Sequence, residues 1–151
     1  FNNEIKQGIE VIRHYEELPR VLCYPDELNQ VWSNLIHNAI QSMEGTGTLE
    51  INVCLEDGLA VVTVTDSGKG IPDGIKQRIF EPFFTTKPQG KGSGLGLDIV
   101  RKIIEKHKGN IRLESAPGRT VFSVIIPIGP ETGKDEQKSD NRLLPDQQAY
   151  K

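Results

Sequence analysis

Three groups of residues carry chemistry that a packed core does not need. Asn34 and Asn38 stand four apart, Asp66 opens the run Ser67-Gly68-Lys69-Gly70-Ile71-Pro72, and Gly90-Lys91-Gly92-Ser93-Gly94-Leu95-Gly96-Leu97 packs glycines ahead of a helical pattern. A glycine-rich run that opens a helix suits phosphate, because its backbone N–H groups can approach an anion and the helix adds free amides and partial positive charge. The same run also reads as a flexible connection between packed elements. An asparagine pair in mid-helix costs about 0.5 kcal/mol or more against alanine unless the amides have a task. The two are either ordinary surface amides or a place where an amide oxygen coordinates a hard cation such as Mg²⁺, itself clamping phosphate oxygens. Asp66, at a strand end beside glycines that admit a flat ligand, can accept a hydrogen bond from an amine such as that of adenine. Asp-Ser-Gly is equally a common turn.

The elements that must position these residues follow from periodicity. Ile9 to Tyr15 reads as a first strand, and Pro25 starts a helix. Leu28, Val31, Trp32, Leu35, Ile36, Ala39, Ile40 and Met43 form its continuous apolar stripe, with Asn34 and Asn38 expected opposite, and Gly45 and Gly47 stop it. Leu49, Ile51, Val53 and Leu55 alternate with polar residues, and Glu56-Asp57-Gly58 turns the chain into Leu59 to Thr65, giving a hairpin that delivers Asp66. A short segment spans Ile75 to Phe80, and the irregular stretch Glu81 to Ser93 reads as mobile. Leu97, Val100, Ile103, Ile104 and His107 trace a second amphipathic helix closed by Gly109. Two strands, Ile111 to Leu113 and Thr120 to Ile128, follow around Pro117-Gly118.

The 151 residues, 36% of them hydrophobic, suit one domain with a sizeable core, residues 1–129, followed by a polar tail or linker, 130–151. A net charge of -3 argues against a general binder of nucleic acid or membrane surfaces, and no apolar run reaches membrane-spanning length. Cys23 and Cys54 sit in unrelated contexts, so neither a disulfide framework nor a zinc cluster is supported and a reducing cytoplasm is the expected setting. The chain opens on Phe1 without a signal-peptide pattern and reads as a piece of a longer polypeptide.

The order of the motifs resembles the ATP-binding catalytic domain of bacterial sensor histidine kinases, within the gyrase, Hsp90, histidine kinase and MutL superfamily. Asn34-Leu35-Ile36-His37-Asn38-Ala39 is similar to the N box and Asp66 to Pro72 to the G1 box. Ile79-Phe80-Glu81-Pro82-Phe83-Phe84 is similar to the F box, and Gly92-Ser93-Gly94-Leu95-Gly96-Leu97 to the G2 box. The resemblance extends from about Pro25 to Pro127 and includes the closing pattern Gly118, Thr120, Phe122.

It implies an α/β (α+β) two-layer sandwich of the Bergerat type, a mixed, mainly antiparallel sheet with helices on one face and a mobile ATP lid. It makes Asn38 the Mg²⁺ ligand, Asn34 a neighbour of metal and phosphates, and Asp66 the acceptor of the adenine amine, helped by Thr120 through water. Gly68 and Gly70 let backbone approach the base. Thr85, Thr86 and Lys87 fall in the lid, where the lysine pairs with terminal phosphates, and Phe80, Phe83 and Phe84 pack it. Gly92, Ser93, Gly94, Leu95, Gly96 and Leu97 form the amide cradle.

Hydrolysing members of the superfamily carry glutamate at the Asn34 position as a base for water. An amide cannot take that proton, which suits transfer to a neutral imidazole needing only positioning. The accepting histidine is expected on a helical dimerisation domain outside this chain, with a response regulator downstream. His14 in a strand pattern, His37 in the N box and His107 at a helix end read as structural or surface residues. Two other functions stay open, a serine kinase of the anti-sigma type and a nucleotide-sensing interaction module without transfer activity.

Overall fold

The structure, a computed structural model, describes residues 8–19, 21–84 and 96–128. Helix α1 runs Pro25–Met43, with proline in its first turn and Asp26 and Glu27 at its positive end. Its buried residues are the eight of the apolar stripe, from Leu28 to Met43. Trp32, Leu28 and Leu35 are among the largest side chains wholly removed from water, each such burial stabilising the fold by about 1.5–3 kcal/mol. The helix stops one residue before the glycines, at Glu44, which adopts the left-handed conformation with φ 53°. Gly47 is the first residue of strand β2 (Gly47–Glu56) and serves close approach, since a Cβ there would lie 2.6 Å from Met43 Sδ and from Ser67 Oγ.

Strands β1 (Ile9–Tyr15), β2, β3 (Leu59–Asp66), β4 (Asn110–Ala116) and β5 (Arg119–Pro127) form one sheet in the order β1-β2-β3-β5-β4. β1 runs parallel to β2, and every other pairing is antiparallel, so the sheet is mixed and mainly antiparallel as expected. Asp57 at φ 53° and Gly58 at 77° make the two-residue turn between β2 and β3, the positive angles matching the twist of the flanking strands. Leu49, Ile51, Val53, Ala60, Val62, Val64, Phe122, Val124 and Ile126 alternate along their strands and join the side chains of the helices in one apolar core. The register sets Leu49, Asp66, Thr120 and Ser115 in one row across β2, β3, β5 and β4. At the same end, Ile9 faces Gly47, and the Gly47 N–H donates to the Gly8 carbonyl at 3.2 Å.

Helix α2 (Gly96–Lys106) buries Val100, Ile103 and Ile104 and touches α1. Its closure differs from the expectation at Gly109, because Lys108 takes the left-handed conformation, with φ 62°. The Lys108 and Gly109 N–H groups donate to the carbonyls of Glu105 and Ile104, each at 2.9 Å, the paired bonds of a Schellman end. Gly109 is instead required for space, since a Cβ would run into the Ile125 carbonyl. β4 extends three residues beyond Leu113 because Pro117-Gly118 forms a tight turn and pairing continues to Ala116 opposite Arg119. Residues 130–151 lie outside the described residues.

Candidate nucleotide site

Asp66 is a carboxylate 4% exposed at the last position of β3. Its Oδ1 accepts the Gly68 N–H at 2.8 Å in a tight Asx arrangement. Burial pushes its pKa above the ordinary carboxylate value, while the Gly68 N–H and the Ser42 hydroxyl, by hydrogen bonding to the charged form, pull it back. Gly68 crosses α1 so closely that a Cβ would collide with the Ser42 side chain and carbonyl. Gly70, at φ +87°, crosses the end of β4, where a Cβ would stand 2.6 Å from the Ala116 carbonyl. Both glycines therefore serve close approach of the loop to the chain it crosses, Gly68 to Ser42 and Gly70 to Ala116.

The polar residues of α1 form a ladder at four-residue spacing, Asn34, Asn38 and Ser42, along one face of the helix. This face is not opposite the apolar stripe, as the sequence had suggested. The exposed residues of α1 are Asp26, Gln30 and His37, whereas Asn34, Asn38 and Ser42 are half-buried along its flank. At one end of the ladder Asn34 Nδ2 donates to the Gly96 carbonyl at 3.3 Å, joining it to the start of α2. At the other end Ser42 meets Asp66 and Gly68.

Thr120, 3% exposed, is the register partner of Asp66 and lies 2.8 Å from Ser115 Oγ. Below the loop, Ile71 N–H donates to Ser115 Oγ at 2.8 Å, and Gly118 N–H donates to the Gly68 carbonyl at 3.0 Å. An acceptor at Asp66, hydroxyls beside it and an amide ladder leading to a glycine-opened helix thus lie along one rim.

Residues 23–130 match the family of histidine kinase-, DNA gyrase B- and HSP90-like ATPases. The chain belongs to that family. Within it, the sensor histidine kinases are its relatives. The domain is 38% identical over 135 residues to the sensory histidine kinase/phosphatase NtrB of Rhodobacter capsulatus, spanning 80% of this chain and 38% of the relative. It is 43% identical over 123 residues to the sensor histidine kinase ZraS of Klebsiella oxytoca, spanning 80% of this chain and 26% of the relative. The histidine kinase-type domain here therefore corresponds to well under half the length of these proteins. Among solved structures, the nucleotide-free catalytic domain of the histidine kinase ThkA superposes with a TM-score of 0.77 at 36% identity, covering 86% of this chain and 88% of that one.

Several expected site residues of this histidine kinase-type domain, Thr85, Thr86, Lys87, Gly92, Ser93, Gly94 and Leu95, lie outside the described residues. Gly96 is the first residue of α2, and Leu97 packs its half-buried side chain against the core. Of the F-box aromatics, Phe80 stands edge-on to Phe122 with ring centroids 6.4 Å apart, and Phe84 packs on the core with Arg78 over its ring at 4.6 Å. Phe83 is 74% exposed at φ 66°, and the lid it is expected to pack lies outside the described residues. His14 faces Glu50 at 3.7 Å, His37 is exposed, and His107 ties the two helices together. Ser42 and Ser115 escaped the sequence reading although both had a signal. Ser42 continues the Asn34 and Asn38 spacing, and Ser115 mirrors Thr120 across the Pro117-Gly118 turn. Among the described residues no helix is long and apolar enough to cross a membrane.

Proposed function

We propose that this domain binds Mg-ATP and hands the terminal phosphoryl group to a histidine on a dimerisation domain outside the chain, from which it passes to an aspartate of a response regulator on the cytoplasmic side. The observation that carries this reading is the buried Asp66 carboxylate, fixed as an acceptor by Gly68 and Ser42 on the same row as Thr120. An adenine amine satisfies that acceptor, and a base without an amine leaves it unpaired at a cost of about 1–3 kcal/mol.

The donor set fits a hard cation held through phosphate. Among the described residues no three His, Cys, Asp or Glu side chains cluster, so a cage made of protein carboxylates is not offered. Asn38 supplies one amide oxygen on the half-buried ladder, and Mg²⁺ bound by few protein ligands takes the rest of its shell from phosphate oxygens and water. When bound, the cation would neutralise charge on the phosphates. Asn34 contributes orientation without basicity, since an amide takes no proton at neutral pH. Lys87 would serve as a point charge at the terminal phosphate, with Thr85 and Thr86 beside it and Gly92 to Leu97 as an amide cradle. Water then meets no base at the Asn34 position, while a positioned imidazole needs none.

Incubating the 151-residue chain with a separately made dimerisation domain and γ-labelled ATP tests the reading. Acid-labile phosphohistidine on the partner is expected. Phosphoserine would point to a serine kinase, and tight ATP binding without transfer to a nucleotide-sensing module.

A further inference from the structure

β4 is the last strand in the order β1-β2-β3-β5-β4, so one of its sides meets no other strand. Two contacts on that side show which of its backbone groups face away from β5. The Ile111 N–H donates to Asn110 Oδ1 at 2.9 Å, and the Ser115 carbonyl accepts the Lys76 ammonium at 2.9 Å. Alternate residues of a strand turn their backbone groups to the same side, so the N–H and carbonyl of Leu113, midway between, also face the open edge. Arg112 and Glu114, flanking Leu113, are exposed. Their partners on β5 are Ser123 and Val121, which carry no charge. Neither side chain is in an ion pair among the described residues.

We propose that this edge takes a second copy of the chain, paired antiparallel about a two-fold axis at Leu113. Charge identifies the partner. With Leu113 opposite Leu113, Arg112 of each copy stands directly across from Glu114 of the other, close enough for opposite charges to attract. The neighbouring registers do the reverse. Setting Ile111 against Leu113 brings Arg112 onto Arg112, and setting Leu113 against Ser115 brings Glu114 onto Glu114. The strand is thus complementary to itself in one register, as an interface with a two-fold axis requires.

In that register the Leu113 N–H and carbonyl exchange bonds with their counterparts, and the Ser115 N–H donates to the Ile111 carbonyl of the second copy. The remaining bond, from the Ile111 N–H to the Ser115 carbonyl, would use the two groups that Asn110 and Lys76 already hold. These side chains cap the ends of the edge against indiscriminate strand addition. They also keep the contact short, in the size range of reversible association. Because the paired strands run in opposite directions, the rows that end at Ser115 lie at opposite ends of the joined ladder. Association along this edge is therefore independent of what the polar rim binds.

Sedimentation of the full chain at low ionic strength, over concentrations up to about 1 mM, is the test. A monomer–dimer equilibrium is expected. Arg112→Glu and Glu114→Arg each place like charges on both sides of the axis and are expected to weaken association about tenfold. Combining the two exchanges in one chain restores the opposite pairs and the wild-type association. An equimolar mixture of the two single variants does the same, through dimers that contain one of each. A wild-type chain that stays monomeric throughout overturns the proposal and leaves the edge to a strand of another protein. Single variants that associate as wild type overturn it too, as do a combined variant and a mixture that stay as weak as the singles.

Discussion

The two ends of α1 are both polar, and they use polarity in opposite ways. At the N-terminal end the Tyr24 N–H donates to His107 Nε2 at 3.0 Å, and His107 Nδ1 lies 2.9 Å from the Ile103 carbonyl, so the ring is the Nδ1–H tautomer with both nitrogens occupied. Lys106 adds an ion pair to Glu27 at 2.8 Å and stands over the Tyr24 ring at 4.3 Å. These groups are turned onto other parts of the chain. At the C-terminal end Asp66 and Thr120 each retain hydrogen-bonding capacity after their protein partners are counted, and both are almost wholly buried. One polar cluster clamps two helices, with the buried Glu27 Oε1 left over among the described residues; the other keeps buried accepting capacity at Asp66 that a ligand can complete.

Breaking the open end should give the largest effect. Asp66→Asn puts an amide where the carboxylate accepts, and ATP affinity should fall about a hundredfold in calorimetry. Stability should move the other way. Burial raises the folded-state pKa of Asp66, so the native state holds that proton more tightly than the unfolded chain, and stability is lost as pH rises from the ordinary value near 3.8 through the raised one. The asparagine variant lacks this loss. Its melting temperature relative to wild type should therefore climb across that window and stay high at neutral pH; a flat difference would remove the assigned cause.

Gly68→Ala drives a methyl into Ser42 and should cost about 1–3 kcal/mol in urea unfolding while also weakening nucleotide binding, because loop and helix must part. At the clamped end, His107→Ala removes the acceptor for the Tyr24 N–H and should cost about 1 kcal/mol, with ATP affinity within about twofold of wild type. A nucleotide-affinity loss as large as that of Asp66→Asn would erase the distinction between the ends. Smallest of all, Lys106→Ala should leave the melting temperature indistinguishable from wild type at physiological salt, since its exposed ion pair is screened.

Periodicity made the frame legible from residues alone. The eight-residue stripe of α1 and the Asp57-Gly58 turn follow from local rules, 3.6-residue spacing and positive φ, that act over a few residues. What escaped depends on contacts across the sheet. Gly47 and Gly109 look like stop signals, yet their demand is steric and comes from Met43, Ser67 and Ile125. Glu44 and Lys108 carry the left-handed turns that glycine would usually take. The candidate site divides in the same way. Asn34, Asn38 and Asp66 were visible through type and spacing, and the family resemblance assigned them roles. Ser42 and Ser115 act through helix pitch and strand register, so their partners are defined only once α1 lies on the sheet and β4 pairs with β5.

The parallel pairing of β1 gives the domain a direction. Because Ile9 lies opposite Gly47 and β2 runs from there past Leu49, the partner of Asp66, the polypeptide enters at the end of the sheet that holds the polar rim. It leaves from β5 at the opposite end of the strands, where the Ile128 N–H meets the Gly58 carbonyl at 3.3 Å. A segment joined ahead of Gly8 is thus tethered at the end of the sheet that holds the polar rim, at high local concentration there, and one joined behind Ile128 starts from the opposite end.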